Sequence, residues 1–543
     1  MPLICLPRLR RRLVATGITI GLTAAFPVAL AGKPGIELVP LDTYATGIFD
    51  KSAAEIVAHD PASQRLFVVN GAEAAIDVLD ASDPSNLVKL FAIDVSPYGK
   101  AANSVDVSEG VVAAALENNN AQANGEVVFF DTNGAFLGRV TVGALPDMLT
   151  FTHNGDWLLV ANEGEPSDDY TVDPLGSVSI IDMRDGADDV DQSDVRSVDF
   201  SEFNNVPLDP SVRIFGPRAT VAQDLEPEYI ATSKNGRHAW VVMQENNAMA
   251  RIDVRRAKVL DLFGLGFKDH SVAGNGIDAS NKDGAINIAE WPVLGMYQPD
   301  AIGTYRHKGR TLIVTANEGD SRDYGGFSEE GRVKDLTLDP AAFPDAATLQ
   351  MDENLGRLKI TTSNGDLDGD GDFDELYAYG ARSFSIRTAQ GKLLYDSGDD
   401  FEQITAVQIP ADFNSTNDEN ASFDNRSDDK GPEPEGLTLG KVEGRTYAFI
   451  GLERVGGIMV YDITNPNDVA FVQYINTRDF AGDPETGTAG DLGPEGLTFI
   501  EEDDSPTEEP LLAVASEVSG TVTLYVIVSK DDDSDDRDDD DDD

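Results

Sequence analysis

The chain has 543 residues, a formal net charge of −56 and a sequence pI near 4.1. So large an excess of acid argues against nucleic acid or an anionic membrane as a partner. Its one cysteine, Cys5, lies at the extreme N-terminus, so the body of the chain has no disulfide, thiolate nucleophile or cysteine metal ligand.

In chain order, residues 1–31 read as a signal peptide. Arg8, Arg10, Arg11 and Arg12 form a basic region, an apolar stretch runs from Leu13 to Val28, and Ala29-Leu30-Ala31 fits a cleavage site. The arginines weakly resemble a twin-arginine signal, and the general export signal remains the alternative. No later apolar stretch is long enough to cross a bilayer. Residues 32–529 are expected to form one domain, and 530–543, almost pure Asp after Lys530, a disordered acidic tail.

Within the domain a degenerate unit recurs about seven times. An acid opens a short apolar run, as in Leu145-Pro146-Asp147 or Gln298-Pro299-Asp300, and a polar turn such as His153-Asn154-Gly155-Asp156 follows. A second β-branched run ends on another acid, as in Ala161-Asn162-Glu163-Gly164 and Ala316-Asn317-Glu318-Gly319. A third run closes on Asp, as in Ser177–Asp182. Short apolar runs punctuated by Gly, Asn and Asp are strands and hairpins. Their repetition predicts an all-β β-propeller of seven blades, with loop insertions in the fourth and fifth units.

That geometry gives the acids a meaning. The start of one strand lies beside the end of its antiparallel neighbour, so both acids of a unit emerge on one face. Glu55, Asp147, Glu228, Asp300, Glu435 and Glu495 are expected to form a ring nearest the axis. Glu117, Glu163, Glu245, Glu318, Glu453 and Glu517 form a second ring around it. Lys and Arg are too scarce to neutralise both, which points to divalent metal, calcium first. The alternative is that each acid caps its own sheet by accepting backbone N–H bonds.

Two insertions carry further candidates. Asp366-Leu367-Asp368-Gly369-Asp370-Gly371-Asp372-Phe373-Asp374 has the alternating carboxylates of a calcium loop, with Asp366, Asp368, Asp370, Asp372 and Asp374 as ligands. Tyr377 stands where an EF-hand has its final Glu. The segment Asp278–Glu290 is a poorer copy in which Asp283, Asn287 and Glu290 could hold an ion, and a simple turn is the alternative. The histidines His59, His153, His238, His270 and His307 do not cluster, which disfavours a zinc centre. Arg322, Arg382 and Arg454 are candidates for binding an anionic substrate, or else partners of structural ion pairs.

Several strings resemble the choice-of-anchor I family: Leu145 to Tyr170, Leu265 to His270, Ala316 to Tyr324, Asp370 to Tyr377 and Gly431 to Leu437. The resemblance implies a bacterial secreted or surface propeller, similar to sequences labelled atypical alkaline phosphatase or mesenchyme-specific cell surface glycoprotein. The Pro-Glu-Gly-Leu segments also resemble those of phytase-like propellers, which bind calcium on the central channel. Two functions stay open: a calcium-dependent phosphoesterase acting on a phosphorylated small molecule, with Glu163, Glu318, Glu435 and Glu495 as leading metal ligands, or a non-catalytic propeller that binds an extracellular surface component.

Overall fold

The computed structural model describes residues 35–530. The expected signal peptide and acidic tail lie outside the described residues, apart from Lys530. The structure is a β-propeller with seven four-stranded antiparallel sheets. In chain order the sheets open with the strands Val57–Asp60, Ala102–Ser108, Pro146–Phe151, Ile230–Thr232, Ile302–His307, Pro434–Val442 and Pro494–Ile500. Each opening strand packs against the next, and the seventh returns to the first, so the succession is circular.

Closure is made by the chain's two ends. Ile36–Ala45 is the outermost strand of the seventh sheet and pairs antiparallel with Thr521–Ser529. Ile36 and Leu38 are buried with Tyr447 and Phe449 of the sixth sheet and Leu512 of the seventh. The middle of each second strand is mostly apolar, such as Trp157 to Ala161, and is buried on both faces because a sheet lies on either side.

The insertions are not independent loops. Phe267–Asp269 and Leu294–Met296, between the fourth and fifth sheets, join Glu330–Arg332, Lys359–Thr361 and Tyr377–Ala378, which lie inside the fifth, in one five-stranded sheet. Leu294–Met296 and Tyr377–Ala378 pair parallel. A separate core of Ile277, Val293, Leu338, Leu355, Leu358 and Ile360 holds this sheet together.

Leu38→Ala should cost about 2–5 kcal/mol, the usual range for a buried leucine. Urea denaturation followed by circular dichroism checks this; a loss below about 1 kcal/mol would show that the N-terminal strand does not secure the ring.

Candidate functional site

Opening acids reach the axis through a repeated backbone device. Asp147, Glu435 and Glu495 each follow a proline, and in each case the ladder breaks in a β-bulge, between Pro146 and Leu149, Pro434 and Leu437, and Pro494 and Leu497. A bulge re-aims a side chain that regular pleating would keep in line. Two residues before the acid the backbone is left-handed: Leu145 (φ 46°), Gln298 (φ 40°), Glu433 (φ 51°) and Gly493 (φ 70°). Three of those positions are not glycine, a conformation that costs about 1–2 kcal/mol each.

The acids so placed line one cavity of about 190 Å³. Glu55, Asp147, Glu228, Asp300, Glu435 and Glu495 all face it, Glu163 joins them, and no Lys or Arg does. The second sheet contributes Asn103 and Ser104 in place of an acid. Larger clefts, of about 420 and 470 Å³, gather no convergent carboxylates. Beneath the acidic cavity a second space is lined by apolar groups with His59, Asp106 and Tyr229.

Burial and mutual repulsion raise the affinity of these acids for protons. Burial, with Asp147 and Glu517 nearby, pushes Glu55 up to about 8, and burial with Glu165 nearby pushes Asp147 up to about 7. Glu163, Glu228, Asp300, Glu435 and Glu495 are held well above the usual carboxylate range by burial first and by neighbouring acids second. The Oε2 atoms of Glu435 and Glu495 are buried with no hydrogen-bond partner. Glu228 differs, since its Oε2 accepts the backbone N–H of Gln244 at 3.2 Å.

Asp300, Glu318 and Glu435 each offer a carboxylate oxygen within 4.8 Å of the others, and Glu318, Glu433 and Glu453 form a second such triad. Two unit charges that close repel by about 3 kcal/mol at an effective dielectric near 20. The first triad is the better cradle for a hard divalent cation, because its Asp300 and Glu435 are held by no Lys or Arg among the described residues, while Glu318 is shared with Lys430. The second already holds cations of the chain. Lys430 Nζ lies 2.6 Å from Glu318 and 3.1 Å from Glu433, and Arg454 lies 3.1 Å from Glu433 and 3.0 Å from Glu453. Against the effect of burial, Lys430, Arg426 and Arg454 hold Glu433 far below the usual range.

Among the described residues the inner ring thus makes no ion pair, whereas three of the outer acids do. Lys100 lies 2.8 Å from Glu117, and Lys430 and Arg454 serve Glu318 and Glu453. Glu245 is pushed up to about 7, chiefly by burial and against the pull of Arg322, and burial also raises Glu517.

The three arginines sort differently from the expectation of an anion site. Arg322 is buried between Asp224 and Glu226 and also donates to the Asp224 carbonyl. Arg382 is buried, 2.6 Å from Glu402, and donates to the carbonyls of Asp278, Ser427 and Asp429. Neither can reach a ligand without abandoning a buried acid. Arg454 alone keeps partial exposure beside the acidic cavity.

In the insertion, Asp366, Asp368 and Asp374 bring oxygens within 4.8 Å, and Asp374 and Asp372 do so with Asp339. Asp370 belongs to neither group; its Oδ1 accepts the N–H of Asp372 at 3.1 Å. Burial, with Asp370 and Asp339 nearby, pushes Asp372 up to about 6. Asp278 turns inward, where its carboxylate accepts the N–H groups of Asn287 and Ser280, so the 278–290 segment is a turn closed by its own backbone. His270 is buried with Nδ1 2.6 Å from the Asn275 carbonyl, and burial pushes it down to about 3.

Fold and site together define a β-propeller whose strand ends crowd carboxylates around one mouth. The chain belongs to the choice-of-anchor I family, whose domain matches residues 55–466. It is 33% identical over 189 residues to Gigasin-3a of Magallana gigas, covering 33% of this chain and 66% of that protein. It is 29% identical over 291 residues to the mesenchyme-specific cell surface glycoprotein of Strongylocentrotus purpuratus, covering 46% of this chain and 36% of that one. The chain thus matches less than two thirds of the length of each of these relatives. Among solved structures, Kuenenia stuttgartiensis hydrazine synthase aligns with a TM-score of 0.45 and 12% identity, covering 89% of this chain and 98% of its own. A streptogramin B lyase aligns at 0.44 and 11%, covering 91% and 98%.

Two outcomes follow. Arg322→Met leaves Asp224 and Glu226 buried without their cation and should cost about 3–5 kcal/mol in urea denaturation. With a chelator present, stability should fall as pH rises from about 4 to 8. Glu55, Asp147 and Glu245 have raised folded pKa values, so the folded state holds their protons more tightly and loses that advantage as each ionises. Glu435→Gln combined with Glu495→Gln should flatten the fall; an unchanged profile would remove the ring from the account.

Proposed function

We propose that this protein is an extracellular or surface propeller that binds calcium in its acidic mouth, with Asp300, Glu318 and Glu435 as the leading ligand set and Asp147, Glu163, Glu228 and Glu495 around it. The observation that carries this reading is the pair of buried, partnerless Oε2 atoms of Glu435 and Glu495 in a cavity that holds no base. An ionised oxygen with no donor is costly unless a cation or proton meets it, and clustered carboxylate oxygens suit a hard ion. The name of the Strongylocentrotus relative supports placement at a cell surface. Among the described residues no helix is long and apolar enough to cross a membrane. A further calcium site in the insertion uses Asp366, Asp368 and Asp374, with Asp339 and Asp372 beside them.

A catalytic reading, hydrolysis of a phosphate monoester, has one observation in its favour: the partly exposed Arg454 and the nearby Lys430 flank the cavity acids and could hold an anion. Bound calcium would supply Lewis acidity there. Lys430 and Arg454 would have to share their contacts with Glu433 and Glu318, which weakens their hold on a substrate. The non-catalytic reading needs no such exchange and is preferred.

Calorimetric titration of chelator-stripped protein with calcium tests the proposal, and a chromogenic phosphate monoester at alkaline pH tests the catalytic reading beside it. Glu435→Gln with Glu495→Gln should weaken the tightest calcium binding at least tenfold and leave the insertion site intact. Unchanged titration would sink the funnel assignment. Calcium-dependent turnover lost in the same variant would establish the enzyme.

A further inference from the structure

The rim opposite the acidic mouth gathers cations on the fourth and fifth sheets, with Lys441 of the sixth beside them. In every sheet the turn between first and second strands, and the end of the third, lie at this rim. In the fourth sheet these places carry Lys234, Arg237 and Arg255, all exposed. In the fifth they carry Arg306, Lys308 and Arg310, all exposed, and in the sixth the exposed Lys441 stands beside the exposed Glu443. Among the described residues none of these cations forms an ion pair with a carboxylate. The acids Asp253 and Asp462 of the same rim are already taken by Arg256 and Arg445.

The rest of the rim is acidic. The equivalent turns carry Glu109 and Asp131 in the second sheet, Asp156 and Asp185 in the third, and the run Glu501 to Glu509 in the seventh. In a chain with 97 acids and 41 bases, the grouping of several exposed, unpaired cations on two neighbouring sheets gives this sector a local charge opposite to the total. The sector is also concave. A cleft of about 440 Å³ lies between Lys234, Arg306, Lys308 and Lys441, and another of about 470 Å³ between Arg237 and Arg255.

We infer that this basic sector is a binding site for an acidic polysaccharide. The site is independent of calcium in the mouth. Cations spread over three sheets suit a linear chain of repeated negative groups better than one small anion. Broad stacking platforms for nucleic acid bases are not offered, because Trp240 is buried and Tyr305, which lines the cleft of about 440 Å³, is only 8% exposed. An acidic peptide would want an apolar anchor, and the clefts are lined mainly by polar and charged side chains, Glu501 and Asp253 among them, with Leu439 and the mostly buried Tyr305 as their apolar groups. The acidic remainder of the rim and the mouth repel a polyanion, so it is steered to this sector alone.

The test is binding of the full chain to chondroitin sulfate in the presence of a chelator, which keeps mouth-bound ions out of the result. Duplex DNA and polyglutamate are parallel probes. The logarithm of the affinity for the polysaccharide should fall linearly with log salt. The variant combining Lys234→Glu, Arg306→Glu and Lys308→Glu should lose at least tenfold at low salt and show a shallower salt slope, with its melting temperature unchanged. Lys51→Glu with Arg218→Glu, exposed cations of the mouth side, should bind as the parent does. No binding at low salt, or equal loss in both variants, would overturn the inference. Tighter binding of DNA or polyglutamate than of polysaccharide would overturn the ligand class.

Discussion

Repulsion between carboxylates held at one mouth is the constraint around which the rest of this molecule is arranged. Circular succession of the sheets puts an acid from six opening strands onto one cavity, and the backbone accepts bulges and left-handed residues to aim them. Local strain of this kind persists only where the surroundings over-determine it. Here the second strands, buried between neighbouring sheets, supply that rigidity, and the N-terminal strand locks the circle against opening.

The outer acids show how the chain handles the same problem when it has bases to use. The connection between the helix Asp400–Gln408 and the sixth sheet delivers Arg426, Lys430 and Glu433 to the edge of the mouth. Arg382, buried at its base, fixes the carbonyls of Ser427 and Asp429 and so sets where Lys430 arrives. An arginine that looked like a ligand for substrate thus positions the cation that neutralises Glu318. Inner acids make no ion pair among the described residues, and burial first, with mutual repulsion second, is why their protons are held so tightly.

Much of this was legible in the sequence because the repeat carries it. Asp147, Asp300, Glu435 and Glu495 follow Pro at the same place in their units, and periodic spacing on a closed ring leaves little freedom in where they meet. What escaped is what the repeat does not contain. Lys430 and Arg426 lie in a connection with no periodicity, and Asp339 comes from a segment remote in sequence from the Asp366 loop it joins. The bridge between Leu338 and Phe373 brings it there. The five-stranded sheet was hidden for a related reason. Its strands are two or three residues long, and the parallel pairing of Leu294–Met296 with Tyr377–Ala378 crosses a whole propeller strand pair in between.

Net charge averages over surfaces that act separately. A total of −56 argues against nucleic acid or an anionic membrane as a partner, while screening over about 8–10 Å at physiological salt makes each rim respond to its own charges. The mouth and the opposite rim are separated by the length of a propeller strand, six residues in Trp157–Asn162, or about 20 Å at the usual rise. That is twice the screening length. One face can therefore collect cations while the other collects anions, and a propeller, whose strand ends sort strictly into two rims, is an architecture that keeps the two from cancelling.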